Sequence, residues 1–331
     1  MSIEESSKSF LANFKRVREQ VQKVIVGHED IVDGTLISLF GGGHVLLEGV
    51  PGLGKTLLVR TLSHVLELPF SRIQFTPDLM PADILGTNIV MDTGDGRKVF
   101  EFQKGPIFSN MVLADEINRA TPKTQSALLE AMQEHCVTAG GKMRPLDEPF
   151  FVLATQNPID QEGTYPLPEA QVDRFFFKLI VTYPGESELM EVLKRTTQGT
   201  SARLEKVVDA KTIVEMQNLV KEVVVASHVM NYVVRLTMAT HPQSPFATDL
   251  TNRFLRFGSS PRGAQTMILA AKVTALTEGR YNVSYDDVRK VTRPALRHRL
   301  LVNFEGEAEG ITSEKIIDEI LAKVPTDAPK A

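Results

Sequence analysis

The amino-acid sequence predicts an α/β fold in which a doubly wound parallel sheet is followed by an all-α domain. Three observations support this prediction. Short apolar runs alternate with helical segments, a glycine-rich loop joins the first run to a helix, and the pattern becomes helical after residue 183. Such runs are typical of strands buried on both faces of a parallel sheet. The 331 residues therefore divide into domains at 1–183 and 184–331.

The first domain is expected to begin with a helix, because apolar residues recur at helical spacing from Phe10 onward, after a loose start. Buried strands are predicted at 44–48, 70–75, 111–114, 150–154 and 175–181. Further helices are predicted at 56–66 and 121–134. Two β-hairpin inserts interrupt this alternation, at 88–102 with a turn at 93–96 and at 136–143 with a turn at Gly140 and Gly141.

The second domain shows helix signals of its own. Ser260 and Pro261 supply a cap residue and a proline at the first helical position, and Ser284 begins a capping-box-like start to the last long helix. Residues 324–331 are expected to form a loose tail.

Composition excludes several classes of protein. The single cysteine, Cys136, rules out an intramolecular disulfide, and the seven histidines lack metal-ligand spacing. No run of 18 apolar residues or signal peptide is evident, so we expect a cytoplasmic protein without a membrane span. The net charge of −4 argues against constitutive binding of nucleic acid.

The glycine-rich loop at 49–56 matches the pattern G-x-x-x-x-G-K-[ST] between a strand and a helix. Its backbone N–H groups are expected to surround phosphates, with Lys55 reaching the β- and γ-phosphates and the Thr56 hydroxyl coordinating Mg²⁺. The predicted nucleotide-binding residues here are Gly49, Val50, Pro51, Gly52, Leu53, Gly54, Lys55, Thr56 and Leu57.

Polar side chains end two of the predicted strands. Asp115 is expected to join the Mg²⁺ shell, and Glu116 to polarise a water that attacks the γ-phosphate. Asn157 ends the next strand, where its amide is suited to hold that water or to contact the γ-phosphate. Asparagine before proline is also a common turn former, so both interpretations of Asn157 stay open.

Two arginines follow. Arg174 is either a salt-bridge partner of Asp173 or Glu169, or an arginine finger that projects toward the nucleotide of a neighbouring subunit. Arg262 lies in the first turn of a helix, where cations are disfavoured. A nearby phosphate explains that position, and a solvated arginine is the alternative.

The order of these motifs resembles that of the AAA+ ATPases, and the motifs are most similar to those of the MoxR family. The matching segments are 47–56, 113–120, 123–134, 154–158, 167–175 and 260–262. The resemblance runs from about residue 24 to residue 301. It implies a P-loop AAA+ core with β-hairpin inserts, followed by an all-α lid domain. The hairpins would be the helix-2 insert and the presensor hairpin, both facing a central pore.

The resemblance also implies roles for single residues. Asn157 would be the sensor 1 residue, Arg174 the finger acting in trans and Arg262 the sensor 2 residue, contacting phosphate from the lid. The segment 24–29 resembles the one that packs against adenine in these ATPases, which assigns base contacts to Val26 and Gly27. The family more often has glutamine in place of His28. Arg119 is a further candidate for contact across a subunit boundary.

These observations together predict a Mg²⁺-dependent ATPase that binds and hydrolyses ATP in a ring oligomer, with a hexamer expected. An arginine finger supplied in trans accelerates hydrolysis by about 10³–10⁵-fold, so catalysis would depend on the ring. Family resemblance implies a chaperone-like role on client proteins, often ones with a von Willebrand factor A domain. The alternatives are a helicase-like or magnesium-chelatase-type motor, and a nucleotide-gated binding module with little turnover.

Overall fold

A computed structural model describes residues 3–50, 52–92, 98–158, 163–197 and 202–326. The first part of the chain contains, in order, α1 (Ile3–Gln22), α2 (Glu29–Phe40), β1 (Val45–Glu48), α3 (Lys55–Val65), β2 (Phe70–Gln74), α4 (Pro81–Leu85), β3 (Gly86–Asp92), β4 (Lys98–Lys104), β5 (Met111–Asp115), α5 (Pro122–Glu134), β6 (Cys136–Ala139), β7 (Lys142–Pro145), β8 (Phe151–Gln156), α6 (Glu169–Val172) and β9 (Phe177–Ile180). Short 3₁₀ turns lie at Pro106–Phe108 and Ile117–Arg119. The first helix begins at Ile3, earlier than the apolar spacing suggested.

Five of these strands form a parallel sheet in the order β2-β5-β8-β1-β9. Alternate side chains of the central strands β1, β5 and β8 enter two apolar layers, one on each face. In β5, Leu113 packs with the α1–α3 layer, whereas Val112 packs with the layer that includes α5. The predicted doubly wound parallel sheet is therefore confirmed. Because β1, β5 and β8 are adjacent and parallel, the residues that follow their carboxyl ends meet at one edge.

Both predicted hairpins are present. Strands β3 and β4 pair in antiparallel register, with Val90 opposite Phe100, and their turn falls outside the described residues. Strands β6 and β7 turn at Gly140 and Gly141, as predicted. The Arg144 guanidinium lies 3.6 Å from the centre of the Phe102 ring, so β7 and β4 contact each other.

The second part of the chain is helical, as predicted, with one short pair of strands in addition. Its elements are α7 (Glu186–Thr197), α8 (Ala210–Glu222), α9 (Ser227–Ala239), α10 (Asp249–Phe254), β10 (Leu255–Phe257), α11 (Pro261–Thr277), α12 (Tyr285–Leu296), β11 (Leu301–Val302), α13 (Phe304–Ala308) and α14 (Ser313–Lys323). Strands β10 and β11 pair antiparallel. The Ser260 cap of α11 and the Ser284 capping box of α12 both form.

The end of α14 is packed against the protein. Val324 is buried, and the Arg235 guanidinium donates to the carbonyls of Pro325 and Thr326. The rest of the predicted tail, 327–331, lies outside the described residues.

A single apolar cluster joins the two parts of the chain. It contains Leu36 of α2 and Phe177 of β9 together with Met267 of α11 and Ile317 of α14. The backbone also connects the parts, since the Val207 N–H donates to the Val65 carbonyl at 2.8 Å. The helical part is thus packed on α1 and α2 and against the edge strand β9.

Candidate active site

The glycine-rich loop leads from β1 into α3 at the carboxyl edge of the sheet. Gly52 and Gly54 have φ of +87° and +75°, a left-handed conformation that glycine adopts at low cost. Helix α3 begins at Lys55, so its free N–H groups and positive end point toward the loop. The Lys55 ammonium donates to the Gly49 carbonyl at 2.6 Å. Pro51 lies outside the described residues.

The two acids at the end of β5 are held by one hydroxyl of the neighbouring strand. The Thr155 Oγ1 donates to Asp115 Oδ1 at 2.7 Å, and the Glu116 backbone N–H donates to the same Thr155 oxygen at 2.8 Å. Thr155 is only 1% exposed. Glu116 also has a left-handed backbone, with φ of 58°. This threonine therefore holds the Asp115 carboxylate and the Glu116 backbone in place at the end of β5.

Strand β2 contributes two side chains that the sequence analysis missed. Arg72 donates to Asp115 Oδ2 from Nη2 at 2.6 Å and from Nε at 3.1 Å. The Gln74 amide donates to Glu116 Oε2 at 2.9 Å. Both face the acids because β2 is the parallel neighbour of β5. Their i, i+2 spacing, which places both side chains on one face of the strand, was the available signal, but its meaning depends on the strand order.

A cavity of ≈ 410 Å³ brings most of the predicted phosphate-site residues together. It is lined by Gly52, Gly54, Lys55, Thr56, Leu57, Arg72, Gln74, Asp115, Glu116 and Asn157. Burial lowers the pKa of Lys55, and the charges of Asp115 and Glu116 oppose that shift. The cavity thus places cationic groups and carboxylates around one small space.

A second, mostly apolar cavity of ≈ 590 Å³ adjoins the same loop. Val26 and His28 line it, opposite Tyr183 and Leu189 from the other side. Leu53 lines it as well. Its apolar walls suit the flat faces of an aromatic ring.

Among the predicted nucleotide-binding residues that the structure describes, three line neither cavity: Gly27, Gly49 and Val50. A Cβ on Gly27 would lie 2.3 Å from Glu188 Oε1, so this glycine is packed against α7. A Cβ on Gly49 would lie 2.6 Å from the Val181 carbonyl, so this glycine allows the loop to approach the end of β9.

The two predicted arginines lie together, but neither is among the residues that line the phosphate cavity. Arg174 donates to the Leu129 carbonyl of α5 at 2.8 Å. Arg262 lies 3.5 Å from Asp173 and 3.4 Å from the Gln133 side chain. Arg262 does not line the phosphate cavity of its own chain, and its contact with phosphate from the lid stays a prediction. Arg119 donates to Glu116 at 3.3 Å.

Comparison with known proteins agrees with this arrangement. The family described as "ATPase family associated with various cellular activities (AAA)" matches residues 44–177, and the AAA lid domain matches 248–320. Chaperone MoxR1 of Mycobacterium tuberculosis is 43% identical over 92% of this chain and 80% of its own length. This chain belongs to the MoxR family of AAA+ ATPases.

Other relatives extend the match. Protein MoxR of Paracoccus denitrificans is 29% identical over 96% of this chain and 97% of its own length. The crystal structure of a candidate ATPase from Cytophaga hutchinsonii superposes with a TM-score of 0.91 at 44% identity, covering 98% of each chain. The predicted AAA+ core with a helical lid is thereby confirmed for this MoxR-family chain. Among the helices that the structure describes, none is both long and apolar enough to cross a bilayer.

Proposed function

We propose that this MoxR-family protein is a Mg²⁺-dependent ATPase that hydrolyses the β–γ phosphoanhydride bond of ATP. One observation carries the proposal: Lys55, Thr56, Asp115, Glu116 and Asn157 line a single cavity, next to an apolar cavity of a size that suits a nucleoside. Adenine would lie against Val26 and Leu53, and the loop backbone would hold the phosphates.

The residues at the phosphate cavity fit a magnesium ion. Mg²⁺ takes oxygen ligands and is commonly bound by one or two carboxylates together with substrate phosphates. The Thr56 hydroxyl and the Asp115 carboxylate are such donors. No cluster of three metal-binding acids, histidines or cysteines occurs in the described residues. The ion would neutralise charge that develops on the phosphates.

Glu116 is the residue proposed to polarise the attacking water. Its carboxylate is held from two sides, by the Gln74 amide and by the Arg119 guanidinium. Asn157 lines the same cavity and would hold the water or the γ-phosphate. Lys55 would stabilise negative charge on the β- and γ-phosphates.

We propose further that catalysis requires a ring, with a hexamer expected, in which Arg174 acts on the nucleotide of the next subunit. The absence of Arg174 and Arg262 from the lining of their own phosphate cavity supports this arrangement. A finger in trans contributes about 10³–10⁵ in rate, or roughly 4–7 kcal/mol of barrier at 1.36 kcal/mol per decade.

The proposed biological role is the remodelling or activation of client proteins in the cytoplasm, including ones with a von Willebrand factor A domain. The two hairpins supply exposed apolar side chains for such contacts, with Phe100 78% and Met143 74% exposed. The relative from Mycobacterium tuberculosis is itself named a chaperone.

The experiment that tests this proposal measures the ATPase rate per subunit against protein concentration, with light scattering on the same samples. We expect the rate to rise as the scattering mass approaches that of a ring. Glu116→Gln should keep ATP binding and reduce turnover at least a hundredfold, whereas equal turnover in both proteins would refute the catalytic assignment. DNA that binds at physiological ionic strength would favour the motor alternative instead.

A further inference from the structure

The segment that carries Arg174 is attached to the lid by His298 and Arg299, which follow the end of α12. Arg299 donates from Nη2 to the carbonyls of Asp173 at 3.0 Å and of Phe175 at 2.7 Å. The same guanidinium donates from Nε to Asp173 Oδ1 at 2.9 Å. The neighbouring His298 ring contacts the Phe175 carbonyl at 3.0 Å. The Arg299 side chain is only 2% exposed, so these bonds form away from solvent.

Asp173 receives a second set of bonds from the start of α11. The Ser260 hydroxyl lies 2.9 Å from both carboxylate oxygens of Asp173. Ser260 is the N-cap of the helix whose first turn carries Arg262, and Arg262 is 3.5 Å from the same carboxylate. One carboxylate therefore joins α11 and the end of α12 at the residue next to Arg174.

The charges at this junction favour the bonds that hold it together. Burial lowers the pKa of Arg299 to about 10, and the Asp173 carboxylate opposes that shift, so the guanidinium stays charged near neutral pH. A buried guanidinium needs partners for its donors, because an unpaired buried charge is strongly destabilising. The planar guanidinium of Arg299 also holds its N–H donors in a fixed arrangement, which determines where the accepting carbonyls lie. The segment at 173–176 is consequently fixed relative to the lid.

We infer that Asp173 and Arg299 are positioning residues that hold Arg174 and Arg262 as one unit for action on the nucleotide of the neighbouring subunit. This inference rests on the proposed function, in which Arg174 is a finger in trans. The start of α11 and the segment that carries Arg174 would then face the next active site in one fixed arrangement. A displacement of 1 Å in catalytic geometry costs on the order of a hundredfold in rate.

Mixed rings test the inference, because a residue that acts through the finger is needed only in the subunit that donates it. Asp173→Asn and Arg299→Lys are each assayed alone and then mixed equally with Glu116→Gln subunits, which lack the water-polarising carboxylate but keep the finger. Each variant alone should lose at least tenfold in kcat with less than a twofold change in ADP affinity. Arg293→Gln is the matched control, an α12 arginine 54% exposed and paired with Asp318, and should keep wild-type turnover.

The mixture should recover activity. Half of the subunits then keep Glu116, and half of those lie next to a subunit that donates a correctly held finger. A randomly assembled ring should therefore reach about a quarter of the wild-type rate. Light scattering on each mixture shows that rings have formed. Circular dichroism identifies a variant that does not fold, and Asp173→Asn then decides the test if Arg299→Lys fails.

Arg174→Ala in the same mixture distinguishes failure of this inference from failure of the proposed finger in trans. If Arg174→Ala is not rescued by Glu116→Gln subunits, the finger in trans is refuted. If Arg174→Ala is rescued but Asp173→Asn and Arg299→Lys are not, the two residues have only a structural role within their own subunit and the inference is overturned. Full turnover of folded Asp173→Asn on its own would overturn it as well.

Discussion

Substitution of Thr155 tests how Asp115 and Glu116 are held at the end of β5. Thr155→Val preserves the shape of the side chain but removes the hydroxyl that bonds Asp115 Oδ1 and the Glu116 N–H. A hydrogen bond to a charged group contributes about 1.5–3 kcal/mol, and a buried N–H left without a partner costs about 1–3 kcal/mol. Because Asp115 keeps its contacts with Arg72, we expect a total loss of about 3 kcal/mol in the free energy of unfolding.

This loss converts into a measurable shift in Tm. At about 2.1 cal/mol/K per residue, a chain of this length has an unfolding entropy of roughly 0.7 kcal/mol/K, so Tm should fall by about 4 °C. Thr155→Ser is the control, since it keeps the hydroxyl and loses one methyl group, at about 0.8 kcal/mol or roughly 1 °C.

The assay is thermal unfolding without nucleotide, followed by the ATPase rate of each variant. We expect stability to decrease from wild type to Thr155→Ser to Thr155→Val. Turnover should fall at least tenfold only in Thr155→Val, because Glu116 is then no longer held in place. Apolar packing alone predicts the opposite order for Ser and Val. A Thr155→Val protein as stable as wild type, or more stable than Thr155→Ser, would therefore refute the bridging role of the hydroxyl.

Two further predictions concern Lys55 and the His135–Glu148 pair. Lys55→Ala should weaken binding of a fluorescent ATP analogue at least tenfold by removing the only ammonium that lines the described phosphate cavity, whereas Lys206→Ala, an exposed lysine outside it, should bind normally. The hydrogen bond to Glu148 raises the pKa of His135 above 6.5, and the same bond lowers the pKa of Glu148 below 4.5. The stability from His135 is complete below pH 6.5 and is lost as pH rises through its raised pKa, whereas that from Glu148 is lost on acidification below 4.5. His135→Gln should therefore lower the urea midpoint more at pH 5.5 than at pH 8.5, and an equal difference at both pH values would contradict this linkage.

Local sequence determines much of the phosphate site. The positive φ at Gly52 and Gly54 follows from a loop pattern that is legible without any structure, because glycine alone adopts such angles freely. Asp115 and Glu116 end a run of apolar residues. Because that run forms a buried strand, the residues at its end lie at the edge of the sheet. The β6–β7 hairpin was also predictable, since Gly140 and Gly141 fix its turn locally.

The partners of those acids depend on strand order, which no local pattern encodes. Arg72 and Gln74 reach Asp115 and Glu116 because β2 is the parallel neighbour of β5, although about 40 residues separate them along the chain. Thr155 bridges the same acids for the corresponding reason from β8. Predicting each strand separately from the sequence does not show which strands are neighbours, so it does not predict these contacts.

The positions of Arg174 and Arg262 likewise depend partly on local sequence and partly on tertiary structure. The sequence by itself determined that Arg262 opens a helix behind the Ser260 cap and that Arg174 precedes the last strand of the sheet, because capping and apolar patterning act over a few residues. Only the tertiary structure decided that Arg262 lies beside Asp173, which Arg299 holds, and that both arginines lie outside the phosphate cavity of their own chain. That outcome depends on how the helical part packs on the sheet, a sum of long-range apolar contacts and buried ion pairs between residues more than 80 positions apart.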